Sequence, residues 1–169
     1  MDGNGQDFVG ANITRDRDKF LRELLRELAG VLEDAVGLEQ AEGFIAMVGR
    51  RIARLMNDEY VASTGQDRLD RTQVANALTD LKRRIQGGFS VESIDEDRII
   101  LVNDRCPFGE YVRDRTSLCM MTMHVFGSIA AANLGYARIE LPETIAKGDG
   151  RCRVIISFSE GDEGREFYR

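Results

Sequence analysis

The sequence predicts an α+β domain in which N-terminal helices precede a four-stranded antiparallel sheet packed on one core helix, in the order β-β-α-β-β. Three observations carry this. Residues 16 to 86 hold three stretches whose apolar residues recur at helical spacing. Gly87-Gly88 then marks a change of texture, after which short apolar runs alternate with turns. Between the second and third of those runs lies TSLCMMTMHVFGSIAAANL, residues 116–134, helix-length and apolar on most sides, as a buried core helix must be.

The elements follow in order. Residues 1–14 are polar and glycine-bearing, and are expected to be a disordered tail. From Asp16 a helix begins, with Leu21, Leu24, Leu28, Val31 and Ala35 as a heptad seam and Gly37 as its stop. The seam covers about two heptads, too few to specify a coiled coil, so it packs either within the domain or across a dimer. A second helix fits Leu38 to about Asn57, with Ala41, Phe44, Ile45, Val48, Ile52 and Leu55 on one face. A third fits Asp70 to Gln86, with Asp70 as N-cap and Val74, Leu78, Leu81 and Ile85 inward. Phe89–Ile94 and Arg98–Val102 read as strands around the acidic turn Asp95-Glu96-Asp97; Tyr136–Leu141 and Cys152–Phe158 read as two more. One domain therefore spans residues 15–160, and residues 161–169 are expected to be a mobile charged tail.

Composition narrows the function. The 169 residues are 43% hydrophobic and 31% charged, with a net charge of −6, so broad electrostatic attraction to nucleic acid is not expected. The N-terminus has no basic-then-apolar signal region, and the reading is a cytoplasmic protein without a membrane span. His124 is the one histidine, which excludes His-rich catalytic metal sites. Phosphate-loop, dinucleotide-binding, zinc-protease and serine-hydrolase fingerprints are all missing.

Chemistry concentrates in three cysteines. Cys106 precedes Pro107 in a turn. Cys119 lies near the start of the core helix, where the helix dipole favours a thiolate. Cys152 opens a strand in phase with Val154, Ile156 and Phe158, so it points to the buried face. The three either meet at a metal or serve as small core hydrophobes; the spacing alone does not decide. His124 follows Cys119 by five residues, about 140° around a helix, so the pair does not share a face.

Residues 106–158, with CPFG, LCMMT, the FG-x-IAA run and AKGDGRCRV, resemble the methanogen output domain of signal-transduction proteins. The same ending is similar to the vinyl-reductase-type ligand-binding domain of phenol-responsive regulators. That likeness implies a structural zinc held by cysteines and a glutamate beneath a small-molecule pocket. Cys119 and Cys152 match two of its cysteines; a third falls at Thr144 here. We expect Cys106 to supply the missing thiolate, with Glu143 or His124 as fourth ligand to zinc. An iron–sulfur cluster or a redox-responsive thiol pair are the alternatives.

Met120, Met123, His124 and Phe126 are the candidate ligand-binding residues, since thioethers adapt to irregular shapes, although ordinary core filling explains such a face equally well. The expectation is a sensory or regulatory domain, dimeric and coupled to a signalling partner protein. One alternative is a small hydrolase using Cys119. Another is a haem-based sensor, although no C-x-x-C-H motif is present.

Overall fold

A computed structural model describes Asn12 and residues 14–169, so most of the expected N-terminal tail lies outside the described residues. Helix α1 spans Arg17–Val36, and its N-cap Asp16 accepts a hydrogen bond from the Lys19 amide at 2.8 Å. Gly37, at φ +80°, is the single residue between α1 and helix α2, Leu38–Thr64. The second helix runs about two turns beyond the sequence expectation. Tyr60 explains the extension, because its hydroxyl donates to Asp80 of the next helix at 2.8 Å. Left-handed Gly65 then ends the helix. Helix α3, Arg71–Arg84, opens with a capping box between Asp70 and Gln73.

Strands β1 (Phe89–Ile94), β2 (Arg98–Asn103), β3 (Tyr136–Glu143), β4 (Cys152–Ser157) and β5 (Arg165–Tyr168) form one antiparallel sheet in the order β1-β2-β4-β3-β5. The α+β arrangement is as expected, with one strand more. β5 comes from residues read as a mobile tail; it pairs with β3 and buries Phe167. The register sets Ile99 against Ile156, Leu101 against Val154 and Asn103 against Cys152, so Cys152 does face the core.

Helix α4, Thr116–Leu134, lies between the sheet and α2. It is long and apolar enough to cross a membrane, yet more than half of it is buried inside the fold. Two glycines set how closely its neighbours approach. A Cβ on Gly49 would stand 2.6 Å from the Cβ of His124, and one on Gly127 would stand 2.3 Å from the Phe167 ring. Asn133 ties the layers together: its Oδ1 accepts from the Leu69 amide at 2.8 Å and its Nδ2 donates to Asn57 Oδ1 and the Ile129 carbonyl.

The inward faces of α1 and α2 differ from expectation. Leu21, Leu24, Leu28 and Val31 are exposed, and α1 buries Ala29 and Gly30 instead. On α2, Ala41 and Ile45 are buried as expected, but Phe44, Val48, Ile52 and Leu55 are exposed, while Ala46, Gly49 and Ala53 complete the inner row. Small residues carry these contacts because the helices pack so closely. Ile85 is likewise exposed.

Candidate functional site

All three cysteines line one small cavity of about 20 Å³, in the company of Asn103, Thr122 and Thr144. Cys106 arrives on the turn after β2, Cys119 in the first turn of α4 and Cys152 at the start of β4. Each sulfur meets backbone amides. Ile145 donates to Cys152 Sγ at 3.4 Å, the Phe108 and Gly109 amides serve Cys106, and the Ala146 amide serves Cys119. The thiolate expected at Cys119 does not form at neutral pH. Burial, with the neighbouring thiols, pushes this thiol up to about 12 and outweighs the helix dipole, and burial also raises Cys106.

The expected metal donor set is not assembled. Among the described residues, no three of His, Cys, Asp and Glu stand close enough to hold a metal ion. Glu143 turns outward, where Arg151 Nε donates to it at 2.6 Å. His124 sits elsewhere on α4, edge-to-face with Phe167 at 5.6 Å between centroids, and 3.5 Å from an Arg165 guanidinium nitrogen. Its Nδ1 is buried without a partner. Burial, then the charges of Arg165 and Arg50, bring its pKa down to about 4. Neither Glu143 nor His124 therefore stands with the cysteines as the fourth zinc ligand expected from the sequence. Cys119 lines both the small cavity and the larger chamber beside it, and His124 lines neither.

The trio has a cationic neighbour that the sequence reading missed. Lys82 is only 5% exposed; its Nζ donates to Thr122 Oγ1 at 2.7 Å and lies 5.2 Å and 5.8 Å from the ring centroids of Phe126 and Phe89. Burial lowers its pKa to about 8, with the three cysteines acting in the opposite sense. Among the described residues it has no carboxylate partner. A signal was present: Lys82 follows Leu78 by four residues, which places it on the apolar stripe of α3.

A second, larger chamber of about 250 Å³ adjoins the first; Cys119, Leu141 and Thr144 line both. Met120 and Met123 line it, opposite Ile139 and Pro142 of β3. A register shift between Glu140 and Glu143, where Pro142 cannot donate to the ladder, marks this stretch of β3. Glu140, Lys147 and Glu163 supply the charged lining, and Glu140 is paired with Arg138. His124 and Phe126 are not in either lining; Phe126 is fully buried, 5.3 Å edge-to-face from Phe89. Thr144, at the junction, is 4% exposed and its hydroxyl has no hydrogen-bond partner.

The segment between the cysteine turn and α4 is also bonded to α1. One guanidinium nitrogen of Arg26 donates to the carbonyls of Tyr111 and Arg113, both at 2.7 Å, and Glu33 accepts from Ser117 at the head of α4.

Residues 24–157 match the profile of the family described as Methanogen output domain 1. No curated protein matches by sequence. The phenol-responsive sensory domain of the transcription activator PoxR, solved with phenol, superposes with a TM-score of 0.67 at 14% identity, covering 80% of this chain and 73% of that one. Trafficking protein particle complex subunit 3 from Naegleria fowleri, covalently bound to palmitic acid, superposes with a TM-score of 0.62 at 15% identity, covering 84% and 97%. At these identities the likeness is one of fold.

Proposed function

The chain belongs to the methanogen output domain 1 family, and on that premise we propose that it is a cytoplasmic sensory domain that binds a small, largely apolar molecule between α4 and β3. The observation that carries this reading is the methionine-lined chamber beside a loop bonded to α1. Its volume, about 250 Å³, exceeds the ~150 Å³ of a cavity known to admit benzene. The similarity to the PoxR sensory domain, solved with phenol, supports the same class of use.

Occupancy passes to α1 through Tyr111 and Arg113, whose carbonyls hold Arg26. The exposed Leu24, Leu28 and Val31 of α1, with Phe44, Val48 and Leu55 of α2, form the contact surface of a homodimer that presents the signal to a partner protein. Toluene tests the reading. It is expected to raise the melting temperature of the wild type and to slow amide exchange along α1, and Met123→Trp, which fills the chamber, abolishes both effects. Unchanged melting and exchange with saturating toluene overturn it.

A further inference from the structure

We infer that the two chambers form one site for an apolar body of about one ring carrying a single anionic oxygen, with the ring against Met120 and Met123 and the oxygen in the small cavity at Thr122 and Thr144, where Thr122 links it to the Lys82 ammonium behind. This rests on the sensory reading above and adds the charge of the ligand. Three independent features point to it.

First, Lys82 is a buried cation with one hydrogen-bond acceptor, Thr122 Oγ1, and no carboxylate partner among the described residues. An ammonium carries three donors, and a buried charge without a counter-ion is costly unless something else supplies the complement. Second, Thr144 presents a buried hydroxyl without a partner at the wall common to both chambers. Thr122, whose oxygen is taken by Lys82, keeps a proton to donate into the same small cavity. Third, the volumes divide the ligand into a body and a head. The 250 Å³ chamber is ring-sized, while the 20 Å³ cavity has room for about one oxygen atom. The Cys119 thiol does not compete for the cation, since burial keeps it protonated at neutral pH.

Three probes of similar body test this by calorimetry at pH 7: nitrobenzene, which lacks the anionic oxygen, 4-nitrophenol, which ionises near neutrality, and benzoate. At least one of the two acids is expected to bind about tenfold or more tighter than nitrobenzene, the worth of one charge-assisted hydrogen bond. 4-Nitrophenol preferred over benzoate identifies a phenolate-type head; the reverse identifies a carboxylate. With 4-nitrophenol, binding is expected to increase its phenolate absorbance. Lys82→Met should abolish the preference while nitrobenzene still binds, and Thr144→Val, which leaves the cation in place, should reduce it severalfold. Equal affinity for all three probes, or a preference that survives Lys82→Met, overturns the inference and leaves the sensory reading standing. Binding of none of the three overturns both.

Discussion

Replacing Lys82 by methionine should make the protein more stable at neutral pH, and the gain should vanish in alkali. The folded protein holds this ammonium at a pKa of about 8 against an ordinary value of 10.5. That difference corresponds to about 3 kcal/mol of cost for keeping the charged form buried below pH 8. Between pH 8 and 10.5 the unfolded chain keeps the proton that the folded chain has released, so stability rises with pH across that window. Lys82→Met removes the cost at every pH and loses the hydrogen bond to Thr122, worth about 1 kcal/mol. The expected result is a net gain of about 2 kcal/mol at pH 7, shrinking to zero or below by pH 10. Cys119 titrates in the opposite sense: raised to about 12, it contributes stability that is present below the ordinary thiol range and is lost as pH rises through its folded pKa. Removing the ammonium also removes its downward pull on the Cys106 and Cys119 thiols, so the comparison at pH 7 reports Lys82 most directly. Urea midpoints at pH 7 and pH 10, with unchanged m-values, measure it. A variant less stable than wild type at pH 7 by more than 1 kcal/mol would refute the reasoning, because it would mean that the charge is compensated within the protein.

His124 gives the complementary acid signature. Its folded pKa of about 4 lies below its ordinary 6.5, so the unfolded chain takes up a proton first and about 3 kcal/mol is lost between pH 6.5 and 4; urea titrations of His124→Gln should lack this share of the acid slope. Gly127→Ala drives a methyl into the Phe167 ring and should cost about 1–3 kcal/mol, part of which returns when Phe167→Ala is combined with it. Leu28→Glu with Leu55→Glu should convert a dimer to a monomer in sedimentation equilibrium without unfolding it, since both side chains are already exposed. Elemental analysis of protein purified without oxygen is expected to show less than stoichiometric zinc and iron; one ion per chain, lost in Cys106→Ser, Cys119→Ser and Cys152→Ser alike, would restore a metal centre to the trio.

The sheet and core helix were legible because their signals are local. Residues 116–134 are too uniformly apolar to lie anywhere but inside, and the in-phase run Cys152, Val154, Ile156 fixed which way the cysteine of β4 points. β5 was not legible. Its four residues contain one buried side chain, Phe167, and pairing with β3 rather than any internal pattern makes them a strand. Periodicity correctly grouped Leu21, Leu24, Leu28 and Val31 on one face of α1 but could not say what covers it; among the described residues, nothing buries it. Turn, helix start and strand end left open whether the three cysteines share a site or serve as separate core thiols; they line one cavity without assembling a metal donor set. The ligand geometry was not legible, because it depends on where Glu143 and His124 turn, and each is claimed by other partners: Arg151 in one case, Phe167 and Arg165 in the other. Thr144 gave no signal, since an orphaned hydroxyl exists only once the surrounding chain is in place.

The joint between the first two helices carries one more consequence. Gly37 holds φ +80° and ψ 157°, a combination that side-chain-bearing residues avoid. Twenty residues of helix on one side and twenty-seven on the other thus owe their mutual angle to one torsional setting that only glycine tolerates. Any replacement at this position would re-aim the leading arm while leaving the interior untouched, separating the direction in which a message travels from the strength with which the fold holds.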